Sequence, residues 1–554
     1  MPVATRFLLL LLLAPLAPVS AQQVGTCAPG TAEKVLDIND VRAHVFNGGN
    51  LFFGNVTTSG DGYLVPKATG NSPIFASSLW IGGKVDGELR MAGATYYNFE
   101  FWPGPLDEEG NPPEDCTPYD RIYRVSRGDV ARYYATGEMT DDLRDWPAHL
   151  GAPVLDGDGV AGNYNLAGGD QPAIMGEQMA WWVMNDAGNE HQWSRVPPLG
   201  LEARVSAFAA PSTVSALHQA TFYRYRLTYR GEQPLDSAYV AVFTDPDLGD
   251  ASDDFIGSDT TLHMGFVYNA RDMDALYGIP PAVGFKVVRG PVGLPNGRDD
   301  DGDGMVDEPG ERLGMTAAPC HAKILEPVNG VEAYNCMQAL WPDGRPLVEG
   351  GTGYPYPNDD EERSPIAFSF PGDPVTQQFW SEENIDGNGT PAPPGDRRFV
   401  VVTGPFRMEP GDEQEIVFAV PFAQGEDRLG SVVKLRLAAR YIQNAFDVGA
   451  LDPRRVAGFP GAPPFPSSYG LSRPYPNPFR DAATLTLTVP ERAAPLRLAV
   501  FDVLGREVAV LAEGVLSPGE HTLTLDGAGL PSGLYLVRLE TGRQAETVKL
   551  LHVE

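Results

Sequence analysis

Apolar and polar residues alternate with a period of two along most of the chain. In TFYRYRLTYR, Tyr223, Tyr225, Leu227 and Tyr229 share one face, and Arg224, Arg226, Thr228 and Arg230 share the other. That is the pattern of a strand with one buried face. SAYVAVFTD follows as a more continuously apolar strand, and RFVVVTGPFRMEPGDEQEIVFAV holds two further β-rich runs joined through Pro410, Gly411 and Asp412. The fold class expected is mainly β, with antiparallel sheets packed as a sandwich. In one place the period lengthens: Val432, Leu435, Ala439, Ile442 and Phe446 recur every three or four residues and Gly449 follows as a stop. This predicts one C-terminal helix that closes the body against a sheet.

The ends of the chain have different textures. MPVATRFLLLLLLAPLAPVSA places Arg6 before an unbroken apolar run, Phe7 to Ala14, and small residues at Val19, Ser20 and Ala21. It reads as a signal peptide, residues 1–21, cleaved after Ala21. The run is too short and too broken by Pro15 and Pro18 for a membrane span of about 20 residues. No later stretch is apolar enough, so no transmembrane segment is expected. Residues 22–450 then form a β-rich body of one or two subdomains, residues 451–470 a Pro- and Gly-rich linker, and residues 471–554 a small all-β sandwich of short alternating runs such as ATLTLTV and GLYLVRLE.

The order of motifs in that last unit carries a family resemblance. YPNPF at Tyr475 to Phe479, VFDVLGREV, LPSGLYLVRL and a closing TVKLL resemble the type A C-terminal sorting domain of type IX secretion cargo. The resemblance implies an Ig-like fold, passage across the outer membrane by the type IX machinery, and a final location at the cell surface or in the medium. It implies sorting-signal roles for Pro476, Asn477, Pro478, Gly533, Tyr535 and Lys549, and it admits surface lipopolysaccharide as a partner. Segments of the body, DPDLGDASDDFIGSDT among them, resemble large secreted proteins that bear the same tail and have no assigned activity.

The formal charge of −32 narrows the partners. From Leu471 to Glu554 there are 8 Lys or Arg against 10 Asp or Glu, so nearly all the acidity belongs to the body. Such a surface repels phosphate backbones, which argues against nucleic acid. Four cysteines in an exported chain favour disulfides; Cys27 with Cys116 and Cys320 with Cys336 is the preferred pairing.

Two acidic stretches suggest calcium. NGRDDDGDGMVDE sets Asp299, Asp301 and Asp303 at alternate positions, followed by Gly304, the backbone carbonyl of Met305, and Asp307. This resembles the front of an EF-hand loop. Gly310 stands where that loop would end in Glu, so the stretch is closer to the short Asp-rich loops of thrombospondin type 3 repeats, with Glu308 or Glu311 in the last ligand's place. In the second stretch Asp245, Asp247, Asp250, Asp253, Asp254 and Asp259 crowd the loop after a strand. DGDG at Asp156 to Gly159 is open to the same reading, against simple turn chemistry.

No HExxH, GxSxG or P-loop occurs. His191 has no partner at metal-ligand spacing, and Trp80, Trp102, Trp181, Trp182 and Trp193 are expected in the core. The body is read as a calcium-binding structural or binding protein whose partner is a glycan, lipopolysaccharide or envelope protein. The alternative is a secreted hydrolase acting on polysaccharide or protein.

Overall fold

The computed structural model describes residues 25–553 apart from 55–61, 94, 97–98, 296, 298–305, 307–309, 323–325, 357–362, 455–468, 473, 475, 481, 490–495, 504, 515–518, 528 and 542–544, and leaves out the side chains of 320–322, 519, 520 and 522. The signal peptide and Asp299, Asp301, Asp303, Met305, Asp307 and Glu308 therefore lie outside the described residues.

Among those described, the body is built on two nine-stranded antiparallel sheets. In the first, Ala76–Val85, Leu235–Asp245 and Arg397–Met408 are neighbours. In the second, Pro281–Arg289, Glu413–Gln424, Ala220–Tyr229, Leu201–Ala209 and Gln178–Asn185 lie in that order. The turn at Pro410–Asp412 makes no hairpin; it hands the chain from one sheet to the other. Arg397–Met408 pairs with Leu235–Asp245, whereas Glu413–Gln424 inserts between Ala220–Tyr229 and Pro281–Arg289. Gly411 takes a φ of 90° at this corner, where its N–H donates to Tyr229 O at 2.8 Å.

Leu79, Ile81, Val240, Val242 and Val401 of the first sheet meet Tyr223, Tyr225, Ile416, Phe418 and Val420 of the second in the main core. Both outer faces are covered as well. The helix Arg428–Asp447 lays Ala438, Ile442 and Ala445 on Trp181, Phe222, Val417 and Ala419, and Val432, Leu435 and Ala439 on Phe266 and Tyr268. Across the first sheet, a second helix, Gly330–Met337, sets Tyr334 and Met337 against Trp80, Phe243, Val400 and Val402. The body is thus a four-layer helix–sheet–sheet–helix stack. Burial on both faces is why Arg397–Met408 reads as a nearly continuous apolar run. Truncating a tryptophan as enclosed as Trp80, 0% exposed, to alanine costs about 3–5 kcal/mol.

The expectation of a single helix is corrected. Gly330–Met337 has eight residues, too few for a period to show, and Arg127–Thr136 buries only Val130. Both are announced by their caps. Asn329 accepts from Glu332 N, and Ser126 with Asp129 forms a capping box.

Cys27 and Cys116 form a disulfide with Cα atoms 5.5 Å apart, closing 89 residues of chain. On chain-entropy grounds a closure of that length stabilises by about 4–5 kcal/mol. The second expected bridge is not formed. Cys336 is a free thiol, 0% exposed on the inner face of the Gly330–Met337 helix, where burial pushes its pKa well up. The body core also runs slightly past the expected boundary, because Ala450 and Leu451 are buried in it.

The tail has its own core. A three-stranded sheet (Gly470–Leu471, Ala482–Val489, Gly519–Asp526) faces a four-stranded one (Glu507–Gly514, Leu496–Asp502, Gly533–Thr541, Ala545–His552). Leu485, Leu487, Leu498, Val500, Val537 and Leu539 pack between them.

Candidate metal centre

Asp245 closes its strand beside Arg397–Met408, where the pairing of Thr244 with Phe399 brings Asp245 and Arg398 together. Arg398 Nη1 lies 2.6 Å from Asp245 Oδ1, and both side chains are 4% exposed. The same guanidinium holds Glu326 Oε1 at 2.6 Å through Nε and also pairs with Asp396. Tyr96 OH stands 2.7 Å from Asp245 Oδ2 and 3.1 Å from Glu326 Oε1.

Of the six aspartates noted in this loop, the structure brings two into one cluster and adds a residue the sequence reading missed. Oxygens of Asp245, Asp247 and Asp396 lie within 4.8 Å of one another. Asp396 sits about 150 positions along the chain from Asp245; being the residue just before a strand was its sole signal. Asp254 adjoins the cluster. It is 0% exposed, and among the described residues its Oδ2 meets only Leu248 N at 3.5 Å and its Oδ1 has no hydrogen-bond partner. Burial, reinforced by the charges of Asp247, Asp253 and Asp396, raises its pKa well above the carboxylate range. For Asp245 burial outweighs the attraction of Arg398, and its pKa is pushed up to about 8.

Three carboxylates, Asp245, Glu326 and Asp396, therefore pair with one guanidinium, with Asp247 and Asp254 beside them. The donors are all hard oxygens, and one is buried with nothing to accept from; a calcium ion fits both facts. Asp250 and Asp253 do other work. Asp250 accepts from Ser252 N at 3.0 Å as a cap, and Asp253 accepts from Asn269 Nδ2 at 2.7 Å.

A second triplet, Asp156, Asp158 and Asp170, is equally close, but its oxygens are spoken for. The fully buried Asp170 accepts from Gly157 N at 2.9 Å and Asn165 N at 2.7 Å. Asp158 accepts from Val160 N and from the amides of Asn163 and Asn165, and Asp156 accepts from Gly159 N. This is the turn chemistry weighed against calcium for DGDG. His191 is structural, its Nδ1 and Nε2 each 2.7 Å from a backbone oxygen, of Met91 and Asp186.

In the tail, Asn477 stitches the opening motif to the last strand. Its Nδ2 donates to Lys549 O and its Oδ1 accepts from Leu551 N, both at 2.9 Å. Tyr535 is buried and donates to Pro531 O at 2.7 Å, whereas Pro476, Pro478 and the Lys549 side chain are exposed. Residues 473–554 match the model of the secretion system C-terminal sorting domain. The chain is type IX secretion cargo. The sorting domain takes the protein to the cell surface or extracellular space and implies an encounter with the type IX machinery on the way.

No curated protein matches the chain. Among solved structures, a polysaccharide lyase aligns over 97% of this chain and 47% of its own, at 10% identity and a TM-score of 0.24. Latent PorU from Porphyromonas gingivalis aligns over 96% and 32%, at 11% identity and a TM-score of 0.14. The BSP domain of a biofilm-associated protein aligns over 98% and 84%, at 8% identity and 0.17. Overlaps this loose say nothing about the body's chemistry. The chain spans just under half the length of that lyase. Among the described residues no helix is long and apolar enough to cross a membrane.

Proposed function

We propose that the body is a calcium-stabilised structural or binding component, working at the surface or in the medium to which its sorting domain delivers it. The observation that carries the calcium assignment is the buried Oδ1 of Asp254, without a hydrogen-bond partner among the described residues, beside a cluster in which three carboxylates pair with one arginine. Bound there, a divalent cation supplies the positive charge the cluster lacks. Asp245, Asp247 and Asp396 hold it, Asp254 turns its free oxygen to it, and Arg398 fixes the strand ends that carry the ligands. Calcium then joins the ends of two strands of the first sheet, so its role is to fix a loop rather than to do chemistry. The Asp299 to Glu308 stretch is a second calcium loop on the strength of its sequence alone.

A ligand that binds only the folded state at a hundredfold excess over its Kd stabilises by about 2.7 kcal/mol. The test is thermal melting of the mature protein in calcium and in chelator, for wild type and for Asp254→Asn and Asp247→Asn. Calcium is expected to raise the wild-type melting temperature and to lose most of that effect in both variants. Identical wild-type melts in calcium and chelator would sink the proposal.

A further inference from the structure

On the outer face of the second sheet, away from the Asp245 cluster and sharing no residue with it, lies a cleft of about 1510 Å³. Its floor is strand surface carrying Arg224, Arg226, Lys286 and Arg289. The last turns of the Arg428–Asp447 helix form one wall, and residues 153–156, 312–314 and 449–454 form the rest. In a chain of net charge −32, this one concavity carries seven Arg or Lys against four Asp or Glu.

The internal ion pairs do not use up that excess. Glu415 is taken by Arg224 and by Arg289, whose Nη1 is 2.9 Å away. Arg226 pairs outside the lining, with Glu413 at 2.8 Å. Lys286 donates to Leu262 O at 2.7 Å and feels the charge of Asp447. Three arginines remain without a carboxylate partner among the described residues: Arg312, which donates to the backbone oxygens of Gly290 at 2.9 Å and Glu415 at 3.3 Å, and the exposed Arg440 and Arg454. Around Arg312, burial and the neighbouring Arg289 both disfavour the positive charge. A guanidinium stays charged regardless, so an arriving anion relieves a cost already present in the fold.

The dimensions and the lining select among anions. The cleft exceeds the roughly 300–1,000 Å³ of a small-molecule site, so it has room for several linked units. Guanidinium forks match the planar or tripodal oxygens of carboxylate and sulfate. Gln443 and Asn444 line the same cleft and suit hydroxyls, Gln443 through its oxygen because its amide already donates to Val288 O and Asp447. Stacked bases would need several open aromatic faces, but the aromatic side chain here, Phe446, has Arg289 over its ring at 6.0 Å.

We propose that this cleft binds a stretch of polysaccharide bearing carboxylate or sulfate groups, with Arg312, Arg440 and Arg454 taking the anions and Gln443 and Asn444 the hydroxyls. The test is retention and titration of the mature, calcium-loaded protein on four probes: polygalacturonate, a sulfated glycosaminoglycan, neutral dextran and single-stranded DNA. The first two arms tell carboxylate from sulfate. The variants are Arg440→Gln with Arg454→Gln, both exposed so that the fold survives, and Arg312→Gln as the half-buried partner. An unchanged melting response to calcium serves as the fold control, since the calcium site is elsewhere.

The expected result is that at least one acidic glycan binds, dextran does not, and the Arg440/Arg454 double variant weakens binding about tenfold or more, as the loss of charge-assisted contacts requires. A shallower salt dependence in the double variant should accompany that loss. Equal binding by wild type and double variant overturns the proposal, as does binding of neither glycan, or DNA held more tightly than both glycans.

Discussion

Two triplets of aspartates lie in this protein, and by composition and spacing they are twins: Asp245, Asp247 and Asp396 in one, Asp156, Asp158 and Asp170 in the other, each with oxygens inside 4.8 Å. What separates them is where the nearby N–H groups go. Around Asp170 the chain curls so that Gly157, Asn165, Val160 and Gly159 all turn their amides onto carboxylates. The charges there are solvated by backbone. Around Asp245 the chain is extended, its amides are committed to the sheet, and its carboxylate meets the Arg398 guanidinium and the Tyr96 hydroxyl. Crowded acids alone therefore do not mark a cation site. A cation site needs crowding that the protein's own donors leave unanswered.

The most severe way to break the comparison is to remove the arginine that pairs with the first triplet. Arg398→Met leaves the buried Asp245 without its guanidinium, a change of about 3–5 kcal/mol. In chelator the body should melt far lower, and calcium should restore a large part of the loss. A melting temperature that drops equally with and without calcium would show that arginine and ion are not answering the same charge.

Next in size is a matched pair of substitutions. Asp170→Asn turns an NH2 toward a backbone N–H that thereby loses its acceptor, costing about 1–3 kcal/mol, and should leave the calcium increment as it was. Asp254→Asn removes a buried carboxyl whose charged form burial disfavours and only Leu248 N, at 3.5 Å, meets among the described residues. It should leave the chelated protein as stable or more so, while abolishing most of the calcium increment. Urea titrations of both variants in calcium and in chelator separate the two outcomes, and the reverse pattern would move the ion to the other triplet.

These contrasts show how far the sequence could be read. Period-two alternation was enough for the strands, because one face of Ala220–Tyr229 is core and the other is lined with arginine. The single long helix was legible for the same reason: Val432, Leu435, Ala439 and Ile442 make a stripe. Helix Gly330–Met337 was not, since two turns carry no period. The corner at Pro410–Asp412 looked like a hairpin turn, because a strand's partner is set by the whole sheet and not by the nearest run. In the site, Asp245 and Asp247 were visible as a local cluster. Asp396 was hidden because it joins them through strand pairing across the fold, and Asp250 and Asp253 stood out only by proximity in sequence.

A smaller effect is expected from pH. The pKa of Asp245 is pushed up to about 8 in the folded body, above its value in the unfolded chain. Its protonated form is thus favoured by folding. That stability is fully present below about pH 4 and is lost as pH rises through about 8. In chelator the melting temperature should drift down across this window for that reason. Calcium binds the ionised form, so its increment should grow over the same range as protons cease to compete. Melts between pH 5 and 8, with and without calcium, give both slopes. An increment that shrinks with rising pH would mean that the ion binds somewhere other than beside Asp245 and Asp254.

The smallest effect is the sharpest check on the twin. Asp158 is half-buried and holds its place by accepting from Val160 N and two asparagine amides. Those hydrogen bonds lower its pKa, in the direction opposite to Asp245 and Asp254. In Asp158→Asn the side-chain oxygen still accepts from Val160 N but the two asparagine amides lose their acceptor, so the melting temperature should fall slightly while its response to calcium should not move measurably. If this substitution instead erases the calcium response, the turn's amides and an ion are sharing one set of oxygens. Satisfied donors would then no longer distinguish a turn from a cation site in this protein.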